Sequence, residues 1–374
     1  MHIGFDAKRY FNNFTGLGNY SRNLVNSIIR NFPGYDYHLY TPKINRERTY
    51  PNLKNDNIKI ISPKNSLSGS FWRFFELSSI LKKDKIDVYH GLSHELPSGL
   101  NKKGIKSVVT IHDVIFKRYP EQYPFVDRLI YDFKWKNSCK SADKIIAISE
   151  NTKQDIIEYY EVEEEKIEVI YQGCDEHFYE KYSEEQLRIF KQKYDLPEEY
   201  FLYVGSVIER KKLLQIIRAM NELPESVQIP LVIIGRGGDY EKRVREYIRT
   251  NGMEKKVIWP SDFEYHDLPK LYQGAQFLVY PSVYEGFGIP IIEAYASGIP
   301  VLTSHSSCLP EIAGSGAIYI NPDDIDNLKS GMLSLMESED LRRKLIIQGR
   351  SQLVNFDNDE IAKEVVKLYE SIIR

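Results

Sequence analysis

Short apolar runs alternate with longer amphipathic stretches along almost the whole chain, and this alternation limits the fold more than any other feature. Most of the apolar runs are continuous, as in strands buried on both faces of a parallel sheet. Helical patterns lie between the runs and alternate with them, which predicts doubly wound α/β layers. The predicted strands are His2–Asp6, Tyr37–Thr41, Ile58–Ser62, Asp87–His90, Ser107–His112, Lys144–Ser149, Ile167–Tyr171, Phe201–Gly205, Leu231–Gly235, Val257–Pro260, Gln276–Pro281, Pro300–Thr303 and Ala317–Ile320.

The predicted strands form two series, separated by the charged helical segment around Ser183–Tyr194. A chain of 374 residues exceeds what one hydrophobic core usually organises, so two domains are expected. We place one Rossmann-like domain at residues 1–180 and a second at 181–355, with a cleft between them. Residues 356–374 form an amphipathic helix that we expect to return to the first domain.

Composition excludes several classes of protein. The 50 basic and 53 acidic residues give a net charge of −3, whereas nucleic-acid binders usually carry a basic footprint. Three widely spaced cysteines supply neither a disulfide framework nor a zinc ribbon. No signal peptide and no membrane-spanning run are visible, so we expect a cytoplasmic protein. Aromatic residues make up 13% of the chain, which suits half-wet clefts and sugar binding, although AT-rich coding explains the surplus equally well.

The segment Pro281–Ala294 follows a predicted strand and carries the strongest local signal. Gly286 and Gly288 form a turn through which a backbone can approach a ligand closely. Pro290 stands where a helix is expected to start, and it lacks the N–H that would be unpaired there. The remaining free N–H groups and the helix dipole predict an anion site.

Two carboxylates accompany this anion site. Glu285 lies in the turn, and Glu293 lies about one turn into the helix. Ionised carboxylates accept hydrogen bonds from sugar hydroxyls, so the pair suits a phosphorylated sugar. The alternative is a strand–turn–helix with two surface glutamates.

A basic loop, Gly205–Lys212, directly follows another predicted strand. Arg210 can bind a phosphate through two hydrogen bonds, and Lys211 supplies a point charge. These charges are placed to neutralise bound phosphates. The alternative is a solvated basic start of a helix.

Two shorter motifs lie in the first half of the chain. Gly16 and Gly18 precede a helical pattern, where a Gly-x-Gly turn can admit a phosphate or can simply be flexible. His112 and Asp113 end a strand and are expected to face the cleft, although a single histidine is often only a local hydrogen-bonding residue. His90 lies in the same half, but glycine and serine in the segment that follows it disfavour a helical zinc pair, and we expect no metal site.

Two stretches, Ser70–Leu81 and Tyr119–Trp135, are rich in aromatic residues, and the second also contains Arg128 and Lys134. Helices of this kind can lie on anionic lipid. They can also face the core and leave their charges in solvent, and this second arrangement is the one we expect.

The second half resembles the family 4 retaining glycosyltransferases of the GT-B fold. Glu285 and Glu293 match the E-x7-E motif of that family within the setting Pro-Ser-x-x-Glu-Gly-Phe-Gly-x-Pro. The resemblance implies that Glu285 contacts hydroxyls of the donor sugar and that Glu293 binds the ribose of the nucleotide. It also implies that Arg210 and Lys211 bind the diphosphate. The implied donor-binding turn comprises Gly286, Phe287, Gly288, Ile289 and Pro290.

The resemblance extends to the first half of the chain. It implies that the loop containing Gly16 and Gly18 closes over the donor phosphates. It places His112 near the reacting anomeric carbon, with Asp113 as a helper, and makes the first domain the acceptor-binding one.

We therefore expect a retaining, metal-independent hexosyltransferase without a resident cofactor, acting in the synthesis of a cell-surface polysaccharide such as lipopolysaccharide. The expected donor is GDP-mannose, with a UDP- or dTDP-sugar as the alternative. The expected acceptor is a glycan or lipid-linked oligosaccharide, with peripheral contact to the inner membrane. The alternative functions are a GT-B nucleotide-sugar epimerase and a Rossmann nucleotide-binding protein or dehydrogenase.

Overall fold

The computed structural model describes residues 1–45, 53, 55–63 and 68–373. The chain forms two compact units. Unit 1 comprises Met1–Cys174 and Phe356–Arg374, and unit 2 comprises Asp175–Asn355. Both are parallel α/β layers, which confirms the predicted fold class.

Unit 1 contains a seven-stranded sheet in the order β3-β2-β1-β4-β5-β6-β7. All of its described pairs are parallel. Its inner strands are almost wholly buried, which explains why they read as continuous apolar runs. The strands are β1 (His2–Asp6), β2 (Asp36–Tyr40), β3 (Ile58–Ile61), β4 (Val88–Gly91), β5 (Lys106–Ile111), β6 (Lys144–Ala147) and β7 (Ile167–Val169).

The helices of unit 1 lie between these strands, and the last one comes from the C-terminal segment. They are α1 (Lys8–Asn12), α2 (Gly16–Asn31), α3 (Gly69–Phe71), α4 (Leu77–Lys83), α5 (Ile115–Arg118), α6 (Phe125–Ser141), α7 (Glu150–Tyr160) and α16 (Asn358–Ile373). Helix α16 packs against α2 through buried apolar residues. Polar contacts reinforce this packing, since Arg30 Nη2 lies 2.6 Å from Asp359 Oδ1 and the Tyr35 hydroxyl donates to Glu370 at 2.9 Å.

Unit 2 contains a six-stranded parallel sheet in the order β10-β9-β8-β11-β12-β13. Its strands are β8 (Phe201–Val204), β9 (Leu231–Ile234), β10 (Val257–Ile258), β11 (Leu278–Tyr280), β12 (Val301–Ser304) and β13 (Ala317–Ile320). Its helices are α8 (Glu184–Lys193), α9 (Leu213–Asn221), α10 (Asp239–Thr250), α11 (Leu268–Gln273), α12 (Ile289–Ser297), α13 (Leu309–Ala313), α14 (Ile325–Glu337) and α15 (Glu339–Gln352).

Each sheet has one point at which the strand order reverses direction. In unit 1 it lies between β1 and β4, and in unit 2 between β8 and β11. Loops that leave the carboxyl ends of two such strands run to opposite sides and leave a crevice, which is where open α/β sheets bind ligands. The sheet order of unit 2 therefore places the basic loop after β8 beside the turn after β11.

The expectation that both aromatic stretches face the core is wrong for most of their phenylalanines. Phe75, Phe125 and Phe133 are exposed. Trp72 is buried and Trp135 is only partly exposed, so the stretches do anchor to the core, but through other residues. Among the described helices, none is both long enough and apolar enough to cross a bilayer.

Candidate active site

The loops after β8 and β11 bring two cations onto one carboxylate. Glu285 Oε1 lies 2.9 Å from Arg210 Nη1 and 2.7 Å from Lys211 Nζ. All three side chains are buried. The cations belong to a short 3₁₀ turn, Glu209–Lys211, whose backbone is tied to the opposite loop because the N–H of Val283 donates to the Arg210 carbonyl at 3.0 Å.

Burial alone would favour the neutral form of Glu285. The charges of Lys211 and Arg210 outweigh that effect and lower its pKa to about 2. Burial also lowers the pKa of Lys211, although Glu285 opposes that change. At neutral pH, Glu285 is therefore an ionised acceptor of hydrogen bonds, held between two basic side chains.

Neighbouring groups fix the positions of these side chains. Lys211 Nζ donates to the Tyr280 hydroxyl at 2.7 Å, and Arg210 donates to the carbonyl of Tyr284. The N–H of Glu285 donates to the Ser307 hydroxyl at 3.0 Å. A site held in this way needs little rearrangement to present its charges to a ligand.

Helix α12 begins where the sequence predicted, at Ile289, with Pro290 in its first turn. Gly288 caps the helix with φ of 114° and ψ of 44°, a conformation that L side chains rarely adopt. The neighbouring turn is braced by Cys308, whose Sγ lies 3.1 Å from the Glu285 carbonyl oxygen and 2.9 Å from that of Phe287. The result is a fixed helix N-terminus following the carboxylate-bearing turn, which is a favourable place for an anion.

Glu293 lies one turn into α12 and is buried. Its Oε2 accepts a hydrogen bond from the Tyr272 hydroxyl at 2.8 Å. Burial raises the pKa of Glu293 to about 7, although the Tyr272 hydrogen bond opposes this shift. The two glutamates thus differ sharply, since Glu285 is held ionised and Glu293 titrates near neutrality.

An aromatic cavity lies at the carboxyl ends of β9 and β10. Its volume is about 230 Å³, and its lining includes Trp259, Phe263 and Tyr265. The Trp259 Nε1–H donates to the Gly235 carbonyl at 2.9 Å, which fixes the indole. Flat aromatic surfaces with fixed positions suit stacking of a planar heterocycle.

In unit 1, the residue His112 directly follows β5 and is buried. Its Nε2 lies 2.9 Å from the Leu92 carbonyl oxygen, and its ring stands edge-on to Tyr20 at 4.6 Å between centroids. Burial lowers its pKa to about 4. His112 is therefore neutral at physiological pH, and its Nε2–H donates a hydrogen bond to the Leu92 carbonyl oxygen.

His90 and His94 do not form a metal pair. His90 Nδ1 lies 2.5 Å from the Tyr369 hydroxyl of α16, and its Nε2 lies 2.8 Å from Thr110 Oγ1. His94 stacks on Trp135 at 3.9 Å between centroids. Both rings are thus engaged in the interior of unit 1.

Close packing explains why glycine is needed at one of the two positions of the N-terminal glycine motif, Gly18. Helix α2 begins at Gly16, which is exposed and has open space around the position of a side chain. The N–H of Gly18 already donates to the Thr15 carbonyl and to Asn13 Oδ1, and a Cβ there would lie 1.8 Å from the Asn13 carbonyl oxygen. Asp113 Oδ1 accepts from the N–H of Ile115 at 3.1 Å and shapes the turn after β5.

Sequence reasoning missed three groups of the site. Tyr272 and Tyr280 are separated from their charged partners by 21 and 69 residues, and no short motif links residues so far apart. The aromatic cavity was missed because Trp259, Phe263 and Tyr265 follow a strand of two residues with no glycine-rich turn. The signal that could have found it is their position at the carboxyl edge of the predicted sheet.

Family models match both units. The model "Glycosyl transferases group 1" matches residues 184–352, and "Glycosyltransferase Family 4" matches residues 14–178. The chain is 26% identical over 371 residues to O-antigen chain mannosyltransferase B of Escherichia coli, covering 95% of this chain and 96% of the relative. It is 31% identical over 233 residues to O-antigen chain mannosyltransferase RfbU of Salmonella typhimurium, covering 62% and 61%.

A solved structure, Anabaena HepE in complex with UDP-glucose, has the same fold. It matches with a TM-score of 0.76 at 17% identity, over 99% of this chain and 100% of that one. The two family models together cover both units of the chain. The paired carboxylates and the basic loop of unit 2 match the motifs of the family 4 glycosyltransferases. The chain belongs to the family 4 glycosyltransferases of the GT-B fold.

Proposed function

We propose that this glycosyltransferase moves a mannosyl residue from GDP-mannose to a hydroxyl of a glycan or lipid-linked oligosaccharide in cell-surface polysaccharide synthesis. The assignment of the donor-binding site rests on the contact of Arg210 and Lys211 with Glu285. This group offers cations to phosphates and an ionised acceptor to sugar hydroxyls in one place. The choice of mannose rests on the similarity to two O-antigen mannosyltransferases.

We assign the parts of the nucleotide sugar to unit 2 as follows. The diphosphate binds Arg210, Lys211 and the N–H groups at the start of α12, in the turn Gly286–Pro290. The ribose hydroxyls bind Glu293, whose orientation Tyr272 fixes. The base stacks in the aromatic cavity at the ends of β9 and β10.

The proposed chemistry retains the configuration at the anomeric carbon. The bond between that carbon and the diphosphate oxygen breaks, and a bond to the acceptor oxygen forms on the same face. The acceptor proton passes to the departing phosphate, and the nucleoside diphosphate leaves. Glu285 is held by two cations, so it suits hydroxyl binding better than attack on carbon.

The cations also make a metal ion unnecessary in this proposal, because Arg210 and Lys211 neutralise the charge that develops on the leaving phosphate. We assign His112 to positioning of the transferred sugar, and Gly16, Gly18 and Asp113 to the supporting loops. We also propose a cytoplasmic location with peripheral contact to the inner membrane, because a lipid-linked acceptor would be held there.

Donor choice is tested by calorimetric titration of the purified chain with GDP-mannose, UDP-glucose, UDP-N-acetylglucosamine and dTDP-rhamnose. We expect GDP-mannose to bind at least about tenfold more tightly than the others, which corresponds to about 1.4 kcal/mol. Equal or tighter binding of a UDP- or dTDP-sugar would refute the assignment to GDP-mannose.

The reaction is tested with radiolabelled donor and extracted lipid-linked glycans, in the presence and absence of EDTA. We expect full transfer in EDTA, and loss of transfer with retained GDP binding in Glu285→Gln. Near-normal transfer by Glu285→Gln would remove that residue from the mechanism. Conversion of the donor to an isomer without acceptor would support the epimerase alternative.

A further inference from the structure

The outer face of helix α6 is apolar rather than polar. Five large side chains form a continuous stripe on it, and between 45% and 67% of each is exposed. They are Phe125, Val126, Leu129, Ile130 and Phe133. A soluble helix normally turns such a stripe toward the core, so this one marks a surface for contact with something else.

A second apolar wall faces this stripe. It comes from α3 and the π-helical turn that follows it, Trp72–Glu76. Trp72 is buried, whereas Phe71 of α3 and Phe75 of the turn are exposed, with their rings 5.0 Å apart between centroids. π-helical turns are rare and are often found at functional sites.

An apolar groove lies between the two walls. Its volume is about 530 Å³. Its lining is almost entirely apolar and is contributed by Ser70, Phe71, Phe74, Phe75, Leu129, Ile130, Phe133 and Lys134. A groove of this size and composition accommodates a hydrocarbon chain.

The groove has a basic border, although the whole chain carries a net charge of −3. Helix α6 contains four basic residues and two acidic ones, and Lys134 itself lines the groove. A neighbouring cavity of about 450 Å³ shares Ser70 with the groove, and its lining includes Lys8 and Lys43. Arg73 also lines it, but this side chain is buried and paired with Asp6 and Glu95, so the two lysines supply the basic border on this side. Apolar side chains bordered by cations complement a lipid surface with anionic headgroups.

We infer that this face of unit 1 docks on a bilayer containing anionic phospholipid. The phenylalanines of both walls enter the boundary between headgroups and acyl chains, the groove takes a hydrocarbon chain, and the basic border contacts lipid phosphates. This inference rests on the proposed membrane contact and deepens it by naming the surface. The chemistry of sugar transfer is independent of it.

The test is flotation of the full chain with vesicles of phosphatidylcholine alone and of phosphatidylcholine with phosphatidylglycerol. The variant is the double substitution Phe75→Ser and Phe133→Ser, at residues that are 59% and 67% exposed. The matched control is Ile347→Ser with Val354→Ser, because these side chains of unit 2 are 70% and 75% exposed and lie outside the patch. Calorimetric binding of GDP-mannose is measured on each protein.

We expect the wild type and the control to float with anionic vesicles and to be released by high salt. The phenylalanine variant should bind them at least about tenfold more weakly. Its affinity for GDP-mannose should be unchanged, which separates this inference from the assignment of the donor. Equal flotation of variant and control would overturn the inference. A wild type that stays off the vesicles but dimerises, with a monomeric phenylalanine variant, would also overturn it and assign the patch to a second copy of the chain.

Discussion

Glu293→Gln should stabilise unit 2 at neutral and alkaline pH, although it removes a residue assigned to substrate binding. Burial raises the pKa of Glu293 from 4.5 to about 7, whereas the unfolded chain loses this proton near 4.5. Because the folded pKa is the higher one, the contribution of Glu293 to stability is complete below pH 4.5 and is lost as the pH rises through 7. At about 1.4 kcal/mol per pKa unit, the loss is about 3 kcal/mol.

Glutamine stays neutral at every pH and can still accept the hydrogen bond from Tyr272. The difference in free energy of unfolding between Glu293→Gln and the wild type should therefore shift in favour of the variant by about 3 kcal/mol between pH 4.5 and 8. Urea denaturation at a series of pH values measures this difference. Glu254→Gln is the control, because Glu254 is an exposed glutamate of the same unit.

The same substitution should weaken binding of GDP. A hydrogen bond from a ribose hydroxyl to a charged group contributes about 1.5–3 kcal/mol, so we expect a loss of about tenfold or more at pH 8. The affinity of the wild type for GDP-mannose, whose diphosphate has no proton to lose in this range, should rise between pH 6 and 8 as Glu293 ionises, while that of the variant stays flat. A stability difference that does not change with pH would refute the reasoning about the buried carboxyl.

Two further substitutions test other parts of the site. Gly18→Ala should lower the melting temperature of the protein, because the new Cβ would lie 1.8 Å from the Asn13 carbonyl oxygen. Gly16→Ala should leave the melting temperature unchanged, since nothing lies within 4 Å of that position. Differential scanning fluorimetry compares the two variants, and equal melting temperatures would contradict the packing argument. Lys211→Met should lower the affinity for GDP about tenfold or more and leave the affinity for guanosine unchanged, since Lys211 contacts Glu285 and is assigned to the diphosphate. Calorimetry with both ligands measures the two affinities. An equal loss of affinity for guanosine would contradict the assignment of Lys211 to the diphosphate.

The strands were predictable from the sequence because both faces of each parallel sheet are covered. A strand such as β11, Leu278–Tyr280, is buried at every position, so it consists of apolar and aromatic residues, and Pro281 marks its end. The start of α12 was predictable for a similar local reason, since a glycine and a proline are both needed there. These features depend on residues close together in the chain.

The rest of the site depends on residues far apart. That Arg210 and Lys211 contact Glu285 follows from the order of β8 and β11 in the sheet, which no local pattern encodes. The pKa of Glu293 depends on how deeply α12 is buried and on Tyr272 from another helix.

The aromatic stretches show a different limit of sequence reasoning. The spacing of Phe125, Leu129 and Phe133 defines one face of α6, but the same spacing occurs in a helix that faces the core. Which face is covered depends on the neighbouring elements and not on the helix. The sequence therefore predicted the helical spacing of these apolar residues correctly, but it predicted burial for a face that is exposed.

The return of α16 to unit 1 affects how the protein folds during synthesis. The chain completes β7, then makes the whole of Asp175–Asn355, and only then supplies the segment that covers α2. At typical rates of translation the delay is roughly ten to forty seconds. During that time the apolar face of α2 lacks its cover, and His90 lacks the hydroxyl of Tyr369. Unit 2 can therefore fold on the ribosome before unit 1 is complete, so the unit that is made first is the later one to mature.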